Sequence, residues 1–235
     1  MFGYQKSVIS LTNKSNNNHT FLTPLNFLYM KKSIFTLLLV LITLNVKAQE
    51  ETKQTELGFN VTGKLGFAKL NQSGMVPLNG SINAGDVLFF YRLASGTTLS
   101  GGVGMLDFNA NGVSAGESYA LKQSYLRIPI NLNYSLYILE DQLDSKLSAY
   151  GGIGVYANTL LKEEVQTIDE TLKNKNQGWN AGLGFNVGMR FGITKNTNFG
   201  IGFETQSDFT KMKKNGVERK LEQINTINFS FEFKF

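Results

Sequence analysis

Trp179-Asn180-Ala181-Gly182-Leu183-Gly184-Phe185-Asn186-Val187-Gly188-Met189-Arg190-Phe191-Gly192-Ile193-Thr194 decides the fold: every odd position is apolar, and every even one is Gly, Asn, Arg or Thr. Successive side chains of an extended strand point to opposite faces, so this run has one wholly apolar face and one small, polar face. A strand in a soluble sandwich is nearer ~5–6 residues long and sets bulky polar side chains against water. A run of about ten residues or more is the length a tilted strand needs to cross a bilayer. The apolar face is then expected to meet lipid and the polar face the interior of a closed barrel.

The same period recurs on both sides of this run. Leu57, Phe59, Val61, Leu65 and Phe67 oppose Asn60, Thr62, Lys64 and Gly66 in a first strand. A fourth sets Leu126, Ile128, Ile130, Leu132, Tyr134 and Leu136 against Arg127, Asn131, Asn133 and Ser135, with Pro129 on the polar side. The last sets Ile227, Phe229, Phe231, Phe233 and Phe235 against Thr226, Asn228, Ser230, Glu232 and Lys234. A fifth strand falls around Lys146 to Asn158 and a seventh around Asn198 to Phe209. Strands two (Ser81 to Leu93) and three (Thr98 to Phe108) alternate less cleanly, and their faces stay unassigned. With Trp179 to Thr194 as the sixth, the expectation is an all-β, eight-stranded antiparallel transmembrane β-barrel over 57–235.

Connections give an independent check, because bacterial barrels alternate short periplasmic turns with longer extracellular loops. Ala94 to Thr97, Leu139 to Ser145 and Lys195 to Thr197 read as the short turns; 71–79, 109–117, 159–177 and 211–222 read as the long loops. Both termini then belong in the periplasm. Glycines on the polar face, such as Gly152, Gly182 and Gly202, either leave room for larger lumen side chains or relieve strand crowding and permit curvature.

The chain has 235 residues, no Cys and a formal charge of +5. Five basic residues lie in residues 1–48 with no acid, leaving 18 Lys and Arg against 18 Asp and Glu in the remainder. A neutral remainder excludes the basic face of a nucleic-acid binder. Met30-Lys31-Lys32, the apolar run Ser33 to Asn45 and Val46-Lys47-Ala48 read as a secretory signal peptide, since about 13 apolar residues fall short of the ~20 of a spanning helix. Residues 1–29 read as an upstream extension or disordered tail, 30–48 as the signal, and 49–56 as a periplasmic segment before the barrel.

Tyr125-Leu126-Arg127-Ile128-Pro129-Ile130 matches a Tyr-Leu-x-Ile-Pro stretch, Gly85 to Arg92 with Gly101 to Gly104 looks like a matching hairpin, and Gly178 to Phe191 is a glycine-rich strand. On these residues the chain resembles the PorT-like outer-membrane β-barrel domain family. The resemblance covers most of 57–235 and departs from it at Ala110 to Glu117, where a loop with tyrosine and lysine is the family's pattern. It implies a small outer-membrane barrel, with some members serving a secretion system, and a Phe235 end that barrel-assembly machinery reads.

Catalytic readings fail on residue chemistry. Gly58 to Lys64 has phosphate-loop spacing, but Leu65 stands where a magnesium-binding hydroxyl belongs and the run alternates as a strand. The only histidine, His19, precedes the expected cleavage point, so the mature chain has neither His nor Cys for esterase-type chemistry. Glu163, Glu164, Asp169 and Glu170 match no calcium-loop spacing. No cofactor or metal is expected. Lys64, Arg127, Arg190, Glu204 and Glu232 fall on inward faces, where unpaired charge is costly, so a salt-bridged polar lumen is expected rather than an ion-coordinating path. The leading expectation is a non-enzymatic barrel held in outer-membrane lipid, with extracellular loops offered to a protein partner. Two further readings are an accessory of a secretion or transport system, and a soluble periplasmic lipocalin-like barrel whose apolar face turns inward around an apolar ligand.

Overall fold

The computed structural model describes residues 55–235 apart from 94–95, 115, 141–145, 176–177 and 215. The expected extension and signal peptide (1–29 and 30–48) and most of the expected periplasmic segment lie outside the described residues. Ten strands form, in chain order: β1 (Glu56–Gln72), β2 (Leu78–Arg92), β3 (Thr97–Ser114), β4 (Glu117–Glu140), β5 (Lys146–Gln166), β6 (Thr171–Lys175), β7 (Trp179–Thr194), β8 (Thr197–Asp208), β9 (Met212–Lys214) and β10 (Val217–Lys234). Eight of them, β1-β2-β3-β4-β5-β7-β8-β10, pair antiparallel in a ring that β10 closes onto β1, from Gly58 opposite Lys234 to Gln72 opposite Arg219. Closure satisfies the edge hydrogen bonds that an open sheet would leave bare.

Alternation fixes the inside and outside of each strand, including the two left open by sequence. On β2, Val87, Phe89 and Tyr91 face outward while Ile82, Asp86, Leu88, Phe90 and Arg92 are buried inside; on β3, Leu99, Val103 and Met105 face outward and Ser100, Leu106 and Phe108 inward. These strands read poorly because their inner faces mix apolar and charged residues.

The ring changes character along its axis. At the end where β1 begins and β10 ends, outward residues are apolar and inward ones mostly polar. Toward the other end the outward residues become polar: Lys69 and Asn71 follow Phe67, Asp107 and Asn109 follow Met105, Lys162 and Glu164 follow Leu161. Most inward residues there become apolar, and Leu70, Ile82, Leu106, Phe108, Leu121, Leu160, Leu221 and Ile224 form one buried cluster.

This second zone corrects the sequence reading of its connections. The expected loops 71–79, 109–117, 159–177 and 211–222 are largely strand: β1 and β2 leave a turn of only 73–77, β3 and β4 run to Ser114 and from Glu117, and β5–β6 and β9–β10 form hairpins. The antiparallel ladder continues past the apolar band because each strand keeps its neighbour's backbone groups as partners. Alternation continues too, with its polarity reversed, so a search for an apolar outer face stops too early.

Two bulges mark the changeover. Ser124 faces Lys162 and Tyr125 faces Leu160, so Leu161 is an extra residue on β5; β10 carries an extra residue against β1 between Glu222 and Asn225, where Gln223 adopts φ 50°. A bulge admits one unpaired residue and bends the strand locally.

Candidate functional site

The lumen is built from inward residues of the first zone, and tyrosines set its spacing. Gly182 lies under the Tyr156 ring, and Gly202 beside the Tyr150 hydroxyl, so that a methyl group at either would collide with the phenol. Between making room and permitting curvature, these two glycines make room. The rings in turn carry cations: the Arg127 guanidinium stands 4.6 Å from the Tyr156 centroid and that of Arg190 4.6 Å from Tyr150.

Charge is arranged in compensated groups. In the middle of the lumen the Lys64 ammonium sits between Asp86, at 2.7 Å, and Glu204, at 2.5 Å. Asn228 and Gln206 donate side-chain N–H groups to the same Glu204 carboxylate. Nearer the start of β1, Glu232 accepts from Arg92 at 2.7 Å and pairs with Arg190 at 3.3 Å, while Asn198 donates to it at 2.8 Å. Arg92 reaches Glu56 as well, and Arg190 donates to the Ser135 hydroxyl at 3.1 Å. Glu56 is therefore part of the barrel rather than of a preceding segment.

The sequence-selected charges thus fall into two ion-paired groups and one cation set on an aromatic ring. Lys64 meets Glu204, Arg190 meets Glu232, and Arg127 is placed inward on Tyr156, buried, with its Nε unpartnered. Phe235 lies on the outer surface beside Phe59, ring centroids 6.0 Å apart. Sequence reasoning missed Asp86 and Arg92, both on β2; the apolar triplet Val87, Phe89 and Tyr91, read as the outer face, would have placed them inside. It also missed Asp208, which accepts from the Tyr156 hydroxyl at 3.0 Å, from Asn180 and from the Leu221 amide at 2.6 Å.

A further buried group lies inside the second zone. Glu163 accepts from Gln123 at 2.6 Å, from Asn174 at 3.1 Å and from Arg219. Glu164, next along β5, faces outward and pairs with Lys162 at 2.8 Å and Lys173 at 3.7 Å. Glu163 and Glu164, two of the four acids considered for calcium, therefore point to opposite sides of the sheet. At the tip of β9–β10, hydrogen bonds from the Lys211 and Lys213 ammonium groups pull the Glu218 carboxyl down to about 2.

Filled by these side chains and capped by the apolar cluster, the lumen holds its charges in place rather than leaving a channel. Eight strands enclose just enough space for side chains. Removing one member of such a pair costs far more than the pair contributes, because the other charge stays buried.

The outward face answers which solvent surrounds the barrel. Phe67, Phe89, Ile130, Phe185, Phe203 and Phe229 are all exposed on it, a continuous apolar surface far beyond what a water-soluble monomer carries. The soluble lipocalin-like alternative needs these residues turned inward; in this band the structure turns them out, which overturns it.

No curated protein matches the sequence. Among solved structures, the Neisserial surface protein A is similar at 16% identity with a TM-score of 0.45, covering 78% of this chain and 100% of that one. The outer membrane protein OprG of Pseudomonas aeruginosa is similar at 12% identity and a TM-score of 0.44, covering 77% and 94%. The attachment invasion locus protein Ail of Yersinia pestis is similar at 13% identity and a TM-score of 0.39, covering 78% and 100%. The assignment rests on none of these distant likenesses. It rests on the closed ring with its outward apolar band and on the match of residues 36–235 to the model of one family: the chain belongs to the outer membrane protein β-barrel domain family, and its place is the outer membrane.

Proposed function

We propose that the protein is a non-catalytic membrane anchor whose second zone stands outside the cell as a rigid sheet surface offered to a protein partner. The observation that carries this reading is the continuation of the ring past its apolar band with a core of its own. Loops that fold only on binding lose affinity to ordering, whereas a pre-formed sheet does not. Export uses the signal at 30–48, cleaved near Gln49, and the aromatic Phe235 is offered to the barrel-assembly machinery. The β2–β3 and β7–β8 connections face the periplasm, and the PorT-like label extends the proposal through Tyr125 to Ile130, as a secretion accessory, only if the partner proves to be a secretion component.

Val76, in the β1–β2 turn, is 80% exposed, and the chain has no native Cys. Val76→Cys on intact cells should react with a membrane-impermeant maleimide, and the outer-membrane fraction should shift on a denaturing gel when boiled. Labelling only after lysis would reverse the orientation and end the proposal of an external surface.

A further inference from the structure

In the second zone the outer wall is polar, yet the turns around its mouth carry apolar side chains set against water: Val76 is 80% exposed and Ile168, in the β5–β6 turn, 89%. Between these turns the mouth opens into a cavity of about 360 Å³ with walls of Leu78, Tyr119 and Val165, resting on Leu70 and Leu121 of the buried cluster. Gln72 donates its amide to the Met75 sulfur at 3.0 Å, which holds the β1–β2 turn at the cavity's edge. Small-molecule sites are concave, mostly apolar and about 300–1,000 Å³, with a few polar groups that orient the ligand. Exposed apolar side chains gathered at a concavity are otherwise a cost without a return.

The charges select the ligand class. Two acids reach the cavity, Glu117 and Glu163. Glu163 is neutralised by Arg219 and its oxygens are occupied by Gln123 and Asn174. Glu117 is exposed and makes no ion pair among the described residues. The lining therefore presents one uncompensated negative charge at an apolar opening, which repels an anionic head group.

We propose that this mouth binds a small amphiphile, a single alkyl chain or ring with a cationic or uncharged head, its apolar part against Leu121 and Val165 and its head at Glu117. The site needs the barrel but not the outward orientation proposed above.

The test uses the protein in lipid nanodiscs, with labelled Met, Val and Leu methyl groups, titrated with octyltrimethylammonium and separately with octanoate. Saturable shifts are expected at Met75, Val76 and Val165, with octanoate weaker by roughly threefold, the worth of one exposed charge contact. Glu117→Gln should level that preference. Val76→Ser, at an exposed turn, should weaken binding of both probes while the heat-dependent gel shift persists. Shifts that do not saturate and spread over membrane-facing methyls such as Val103 would mean bilayer partitioning only and overturn the proposal, as would a preference that survives Glu117→Gln. Nanodiscs expose both ends, so a negative titration leaves the Val76→Cys orientation result standing, and the reverse holds.

Discussion

The two zones of one continuous sheet solve opposite problems with the same backbone. In the band around Leu57 to Phe67, lipid is the cheap environment for apolar side chains, so they face out and the interior is left to ions. Beyond Phe67, water takes lipid's place, and the same strands put Leu70, Leu106 and Phe108 inside and Lys69, Asp107 and Asn109 outside. Apart from the bulges on β5 and β10, the ladder runs on unchanged across the boundary; what changes is the solvent. Polarity in a barrel is therefore a record of surroundings, and its inversion locates the membrane surface on strands such as β1, β3 and β5 that cross it.

The largest expected effect breaks the ionic interior. Glu204→Leu leaves the buried Lys64 short of one of its two counter-charges and should cost about 3–5 kcal/mol in denaturant unfolding. The double change with Lys64→Met should recover a good part of that loss; if it recovers none, the pair is not the unit described. Phe108→Ala probes the other interior, where truncation of a buried aromatic should cost about 3–5 kcal/mol. Because the residue lies outside the lipid band, outer-membrane insertion should persist, and a protein that folds at full stability would show the second zone has no core of its own.

A sharper comparison uses one face of one strand. Val103→Arg places a charge in the lipid band and should cost about 2–4 kcal/mol. Asn109→Arg, six residues on and also outward, should change stability by no more than about 0.5 kcal/mol. Equal costs would erase the boundary drawn between Met105 and Asp107. The smallest effect is acidic: Glu218 titrates near 2 instead of its usual 4.5, so its contribution is present above about 4.5 and fades as pH falls toward 2. Carboxyl NMR of Glu218 should follow that course, and Lys213→Gln should bring the midpoint back up.

How much was legible in the sequence follows from the same inversion. β7, and β10 from Thr226 onward, could be read residue by residue because these lengths lie in the lipid band, where one polarity rule holds. β2 and β3 cross the boundary midway, so Ile82 and Asp86 share an inner face that no single rule describes. Asp86 and Arg92 were missed for that reason, and with them the second partner of Lys64 and the first of Glu232. The buried Glu163–Arg219 pair was hidden by the Leu161 and Gln223 bulges, since each shifts the odd–even count by one between the band and the region beyond it.

Those bulges also divide the chain's heritable grammar. Because β5 and β10 each restart their phase at the membrane surface, the portion of either strand beyond its extra residue can be lengthened, shortened or exchanged as a hairpin without re-indexing the side chains that meet lipid. That half is thereby free to diversify, or to receive a grafted hairpin, on a foundation whose spelling stays fixed.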